Sequence, residues 1–404
     1  MKRLISLLLV LSLMFSGLAA LAEGEENPNF NIDYEKNTWF SGIFNADGKI
    51  LCLRSNTPST LYELNIEEKK LVEHKELVQN DEVGYLEMSF MSDGKLHAIY
   101  DENKIYELEE KDGKLSPQKL VGKIQKKSEH QFANDSRVLA VGKKLYYSLV
   151  DYSESKTSGS VLEYDMESGK TTKILKDIYG TISEYKDGKL LICYVDSEKG
   201  DKNSSIGTAV IYGYDTKSKK LEEIHSFTIQ NRYRASQVFY NPVLDGVFYI
   251  ENGKVFKVID KKEAEYVAKV PFGTRNPFVL PDGRVIVDDP QLSQLCIRKL
   301  DPKFVPQKEL VVLNGEYNKA FKVAEEKMND VAFAYKTMSW GKPEEMAQSI
   351  ISAKDSWDMM VAGTYIDVES LVKKGYIEPI NSEKLKASMD RAWEAYTYGT
   401  SFDG

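Results

Sequence analysis

Between residues 37 and 307 apolar and polar positions alternate with period two, in short runs that stop at glycine-bearing turns. The recurring stretch reads "DGKILCL" from Asp47, "DGKLHAIY" from Asp93, "VGKKLYYSL" from Val141, "DGKLLICY" from Asp187, "LDGVFYI" from Leu244 and "DGRVIV" from Asp282. Its glycines, at 48, 94, 142, 188, 246 and 283, supply the positive φ that tight reversals need. A second element follows each turn: "LYELNIEEKKL", "IYELEEKDGKL", "LEYDMESGKTTKIL", "YGYDTKSKKLEEI", "VFKVIDKKEAEYVAKV" and "CIRKLDPKFVPQKEL". Each is a strand, a charged turn and another short strand. A lone hairpin cannot bury its apolar face, so such units must stack on their neighbours. Units of about 45 residues have the size of four-stranded propeller blades. The pattern therefore predicts an all-β propeller of six or seven blades over 37–307, with an irregular pair of β-sandwiches as the alternative.

After residue 308 the period changes. "ELVVLNG" (309–315) is a buried-strand run, and "YNKAFKVAEEKMN" sets Tyr317, Phe321, Ala324 and Met328 on one helical stripe. The strand "VAFAYKTM" (331–338) follows, then a helix opening at Pro343 with Glu344 and Glu345 in its first turn. "WDMMVAG" is a third strand, and Thr364 with Asp367 start a third helix that ends at Gly375 behind Lys373 and Lys374. The succession β-α-β-α-β-α predicts a parallel sheet with right-handed crossovers.

The first residues read differently again. Lys2 and Arg3, the apolar run Leu4 to Phe15 and Ala20-Leu21-Ala22 predict a signal peptide (1–22) cleaved after Ala22, with a retained membrane anchor as the alternative. Residues 23–36 are expected to be a polar linker, and the mature protein to be secreted or held at the cell surface. Net charge is -8, spread as mixed Lys and Glu, which excludes a basic nucleic-acid footprint. Cys52, Cys193 and Cys296 each sit among aliphatic residues, as buried thiols do, although one bridge between two of them remains open. His74, His97, His130 and His225 have no zinc-ligand spacing, and Asp288-Asp289 follows no calcium-loop pattern, so neither a metal nor another cofactor is expected. No nucleophile elbow, phosphate loop or dinucleotide-binding glycine cluster appears, while paired carboxylates are not recognisable before the fold is known, so a propeller hydrolase stays open.

In the last quarter the order of elements, "ELVVLNGEYNKAFKVAEEKMN", "VAFAYKTMSW", "DSWDMMVAGTYIDVESLVKKGYIEPI" and "SFDG", resembles the start of a bacterial extracellular solute-binding protein of an ABC importer, nearest to the sugar-binding type. Met328-Asn329, Trp357-Asp358, and Leu371 with Gly375, Ile377, Pro379 and Ile380 carry that resemblance. It implies that 308–404 is the N-terminal part of an α/β periplasmic-binding-protein-like lobe, left incomplete because the second lobe of the family's clamp is missing. The usual lipid-attachment cysteine is missing too. By the resemblance and by strand-end topology, Asn314, Glu316, Trp340, Gly363, Thr364 and Tyr365 would line the ligand cleft, Trp340 and Tyr365 stacking on a sugar face. The other reading makes Trp340 a cap on the lobe core and the polar residues helix caps. The implied function is non-catalytic carriage of a sugar or oligosaccharide to a membrane permease. The alternatives are a cell-surface propeller scaffold whose last lobe is vestigial, or a propeller glycoside hydrolase or lyase.

Overall fold

The computed structural model describes residues 27–336, except 37, 39, 47, 55–58, 79–83, 85, 102, 125–129, 133–137, 152–157, 177–179, 197–206, 230–235, 314–318 and 329, together with 357–360, 371, 373 and 375. The chain forms two compact units, Met1–Val305 and Pro306–Gly404.

The first unit is a six-bladed β-propeller. Its strands run in chain order as β1 (Phe30–Asp33), β2 (Phe40–Ala46), β3 (Lys49–Arg54), β4 (Thr60–Asn65), β5 (Lys70–Glu76), β6 (Leu86–Ser92), β7 (Lys95–Tyr100), β8 (Lys104–Lys111) and β9 (Lys114–Lys123). They continue as β10 (His130–Phe132), β11 (Leu139–Val141), β12 (Lys144–Asp151), β13 (Ser158–Asp165), β14 (Thr171–Lys176), β15 (Gly180–Glu184), β16 (Leu190–Asp196), β17 (Gly207–Tyr214) and β18 (Leu221–Ile229). The last seven are β19 (Gln237–Asn241), β20 (Gly246–Glu251), β21 (Lys254–Val258), β22 (Ala264–Lys269), β23 (Arg275–Val279), β24 (Val285–Asp289) and β25 (Gln294–Arg298). Each blade is an antiparallel meander: β2 to β5, β6 to β9, β10/β11 to β14, β15 to β18, β19 to β22, and β23 to β25 with β1 as its outermost strand. In the third blade the innermost strand is broken, β10 and β11 both pairing with β12. The innermost strands stand side by side in a closed ring, β2 beside β6, then β11, β15, β19, β23 and back to β2.

Five of the six repeated glycines fall in the turn between the first and second strand of their blade and Gly246 opens the second strand of the fifth, so the sequence repeat and the blade coincide. Gly48, Gly94, Gly142, Gly188 and Gly283 have positive φ there, while in the fifth blade the left-handed residue is Asp245 (φ 39°). The next turn, between third and fourth strands, is set by a side chain: Asp165, Asp215 and Asp260 each accept from the backbone N–H groups two and three residues on. Those bonds hold all three carboxyls below the ordinary aspartate range. A bulge recurs between the third and fourth strands of the first five blades, at Leu61/Tyr62, Ile105/Tyr106, Val161/Leu162, Ile211/Tyr212 and Val255/Phe256. It adds twist to each outer strand.

The apolar faces meet between blades, and six clusters fill the six interfaces. Cys296 lies in the cluster between blades five and six, Cys193 between four and five, and Cys52 between six and one. All three are buried free thiols. One expectation fails at the N-terminus: Phe30–Asp33, assigned to the linker 23–36, is the strand that closes the ring, paired in register from Phe30↔Ile297 to Asp33↔Gln294. Four residues are too short a run for alternation to mark. The expected signal peptide, 1–22, lies outside the described residues. Among those described, no helix is long and apolar enough to cross a membrane.

In the second unit β26 (Lys308–Leu313) lies between β27 (Val331–Lys336) and β28 (Met359–Met360), both parallel to it, with α1 (Lys319–Lys327) linking β26 and β27. This is three strands and one helix of the expected series, and a complete α/β binding lobe is not shown. The expected stripe on α1 is only partly the packed face. Phe321 meets Phe333 with ring centroids 5.8 Å apart, but Met328 is exposed while Lys322 and Glu325 are buried. Glu325 turns inward because it accepts from the Phe333 N–H at 2.9 Å and the Tyr335 hydroxyl at 3.3 Å. Hydrogen bonding to the edge strand outweighs the apolar pattern at that turn.

Candidate functional site

A propeller has an opening along its axis because its innermost strands are edges. Here β2, β6, β15, β19 and β23 each have a single ladder partner, so each turns one row of backbone N–H and C=O groups toward the axis. The channel holds a cavity of about 520 Å3 lined by all six blades. That is within the usual size of small-molecule sites. Phe44, Phe90, Met91, Phe239, Phe278 and Val279 give it apolar surface, and Ser41, Ser89 and Ser183 give it hydroxyls. Ser41 and Ser89 face each other at 3.4 Å, and the buried Ser183 Oγ has no hydrogen-bond partner.

At the mouth formed by the first-to-second-strand turns stand Tyr185, Lys186 and Tyr240. The two rings meet edge to face, centroids 5.2 Å apart and planes at 85°. The Lys186 Nζ lies 5.8 Å from the Tyr185 centroid and 5.9 Å from that of Tyr240. Asp245 accepts from the Tyr240 hydroxyl at 2.5 Å and pairs with Lys186 at 3.4 Å, both through Oδ1. The tyrosine hydroxyl first and the lysine second hold the Asp245 carboxyl below its ordinary range, and the carboxylate holds Lys186 above its own. The fifth-blade turn is fixed by the fully buried Asn241. Its Oδ1 accepts from Val243 and Leu244, and its Nδ2 donates to the Gly283 carbonyl at 2.7 Å. That cross-blade bond sets the place of Asp245.

Toward the other end of the channel lies a buried polar knot. The Tyr34 hydroxyl donates to Asp288 Oδ1 at 2.5 Å, and Arg275 Nε is 3.9 Å from Oδ2. Burial, then the Asp288 charge, pushes the Tyr34 hydroxyl far up, so it stays a donor. Asp289 accepts from the Gln291 and Leu292 N–H groups. The adjacent carboxylates of Asp288 and Asp289 are thus engaged by protein groups, and among the described residues no group of three or more His, Cys, Asp or Glu side chains gathers to hold a metal ion. His225, although buried, belongs to an aromatic stack between the fourth and fifth blades, with Phe227, Tyr249 and Phe256.

No protein family matches the chain, and no curated protein matches it. Solved structures similar to it include an oligogalacturonate lyase in complex with manganese (12% identity, 69% of this chain and 99% of that one, TM-score 0.40). Others carry the names of a gluconolactonase (12%, 68% and 94%, 0.42) and of an oxidoreductase (glucose dehydrogenase) from Thermus thermophilus (13%, 67% and 99%, 0.44). At these values none of their activities is transferred to this chain. The resemblance to a solute-binding protein of an ABC importer is corrected: the six-bladed propeller accounts for most of the described chain, and the described part of the second unit is three strands and one helix rather than a binding lobe. With it fall the importer and sugar-carrier functions. Strand, helix, strand is an order that many α/β units share, and it carried the resemblance without any diagnostic side chain. The expected cleft residues Asn314, Glu316, Trp340, Gly363, Thr364 and Tyr365 all lie outside the described residues.

The residues at the channel mouth were missed from the sequence. A signal was there: "SEYKDG" and "FYNPVLDG" place a tyrosine shortly before the repeat turn of the fourth and fifth units. Only the ring, however, brings Tyr185 and Tyr240 face to edge.

Proposed function

We propose that the propeller is the working part of this protein: a binding module outside the cytoplasm that holds a small organic ligand in its axial cavity without transforming it. The observation that carries this reading is the makeup of the cavity wall, which combines apolar and aromatic surface, the unpartnered Ser183 hydroxyl and a tyrosine pair at the opening. A non-catalytic role is supported by the engagement of Asp245 with Lys186 and Tyr240 and of Asp288 with Tyr34, which leaves Glu184 as the one other carboxylate among the cavity-lining residues. The leader-like residues 1–22 support the location. The test is saturation-transfer NMR on the full chain with neutral polyols, small carboxylates and alkylammonium salts, repeated on Ser183→Ala and Tyr240→Ala. The expected result is binding of at least one class, weakened in both variants. Absence of binding by every class, or binding indifferent to both substitutions, overturns the cavity as the site. Chemical change of a bound probe overturns the non-catalytic part.

A further inference from the structure

The mouth of the cavity already holds a cation, and it is the protein's own. Tyr185 and Tyr240 stand at 85° to each other, giving two perpendicular walls of an aromatic box, and the Lys186 ammonium lies within 6 Å of both ring centroids. Asp245 supplies the counter-charge 3.4 Å from that ammonium and is itself held by the Tyr240 hydroxyl. The lysine is a poor permanent occupant. Its side chain is 46% exposed, on a four-carbon stem that reaches water freely. We infer that the cavity takes a ligand bearing a quaternary or substituted ammonium group, whose cation displaces the Lys186 ammonium from the box formed by Tyr185, Tyr240 and Asp245 while its apolar body enters the channel.

Charge favours a cation over an anion at this opening. The charged residues lining the cavity are Glu184 and Lys186, and Asp245 stands beside them, so carboxylates outnumber the one ammonium. A quaternary ammonium also loses less hydration than a primary one on entering an aromatic box, which gives the incoming group an advantage over the lysine. Behind the mouth the aromatic wall and the Ser183 Oγ suit an alkyl body with a single polar substituent. The inference rests on the cavity being the binding site.

The experiment is isothermal titration of the full chain with choline chloride and with 3,3-dimethylbutan-1-ol, which has the same shape without the charge. Wild type is expected to bind choline at least roughly fivefold more tightly than the neutral alcohol. Lys186→Ala removes the competing occupant and should tighten choline binding by roughly fivefold or more. Asp245→Asn, at an exposed position, should weaken choline by a larger factor than it weakens the alcohol, because only choline loses a counter-charge. Equal binding of the two probes, or no binding of choline while another class from the NMR panel still depends on Ser183 and Tyr240, overturns the ammonium assignment and leaves the cavity reading standing. Loss of binding in Lys186→Ala also overturns it, because the lysine would then be the ligand's partner. Failure of every probe removes both.

Discussion

Glu163 is a carboxylate whose side chain is only 8% exposed, tied to Lys144 at 2.6 Å, to Lys219 and to the Tyr146 hydroxyl at 3.0 Å. Lys144 and Tyr146 belong to its own blade, and Lys219 reaches from the turn of the next, so the residue bridges two blades. Burial raises its carboxyl pKa, but the bonds from both lysines and the tyrosine outweigh this and hold it below the ordinary value of 4.5. A depressed folded-state value means that the stabilisation is fully present above the ordinary range and is lost as pH falls through the folded value. Melting curves taken between about pH 7 and pH 3 should therefore show a wild-type Tm that falls on acidification, and a Glu163→Gln variant that melts lower at neutral pH and approaches wild type at the acid end. A constant gap between the two across that range would show that the charge is not the stabilising feature. The sequence marks Glu163 only as one of many strand acids in "VLEYD". Its partner Lys219 lies 56 positions away in the chain, beyond any local pattern.

At the scale of elements, the ring closes through β1. Arg298, 6% exposed at the end of β25, donates to the Phe30 carbonyl at 3.1 Å and to Asn31 Oδ1 at 2.8 Å, and through Nε to the Lys269 carbonyl at 3.1 Å. Asn31 further donates to Gln294, and Gln294 to Asp33. One guanidinium thus ties the N-terminal strand to the last and next-to-last blades. Arg298→Met keeps the stem and removes the donors, and should cost about 2 kcal/mol, since bonds from charged donors to buried acceptors are the strong ones. Circular dichroism melting should register this as a Tm lower by roughly 4–8 °C. An unchanged Tm would mean that β1 contributes little to closure. The blade elements themselves were legible: glycine turns, charged turns and alternation are all read within a dozen residues. The strand order was not, because β1 pairs with a segment more than 260 positions on.

For the whole propeller, stability is shared around a circle. Each blade contributes one face to each of two interblade clusters, so a defect in one interface removes support from both blades flanking it. Phe248, fully buried between the fifth and sixth blades and stacked on Phe239 at 5.4 Å, is a direct probe. Phe248→Ala should destabilise by about 3–5 kcal/mol, and equilibrium denaturation followed by far-UV dichroism and by tyrosine fluorescence should show no more transitions for the variant than for wild type. A propeller transition that splits relative to wild type would mean that the blades unfold independently. Six glycine units in the sequence correspond to six blades, so the choice between six and seven blades resolves at the repeat count itself.

The sequence by itself determined the blade. Period-two alternation and the turn residues act between neighbours in the chain, and they specify a strand, a reversal and another strand wherever they recur. Tertiary structure decided everything that depends on joining the two ends of the series. Ring closure makes a cavity out of six unpaired strand edges, sets Tyr185 of one blade against Tyr240 of the next, and brings Asp245 to Lys186. The physical reason is one of range: a turn is fixed by the φ of one residue, whereas a channel exists only when the last blade finds the first.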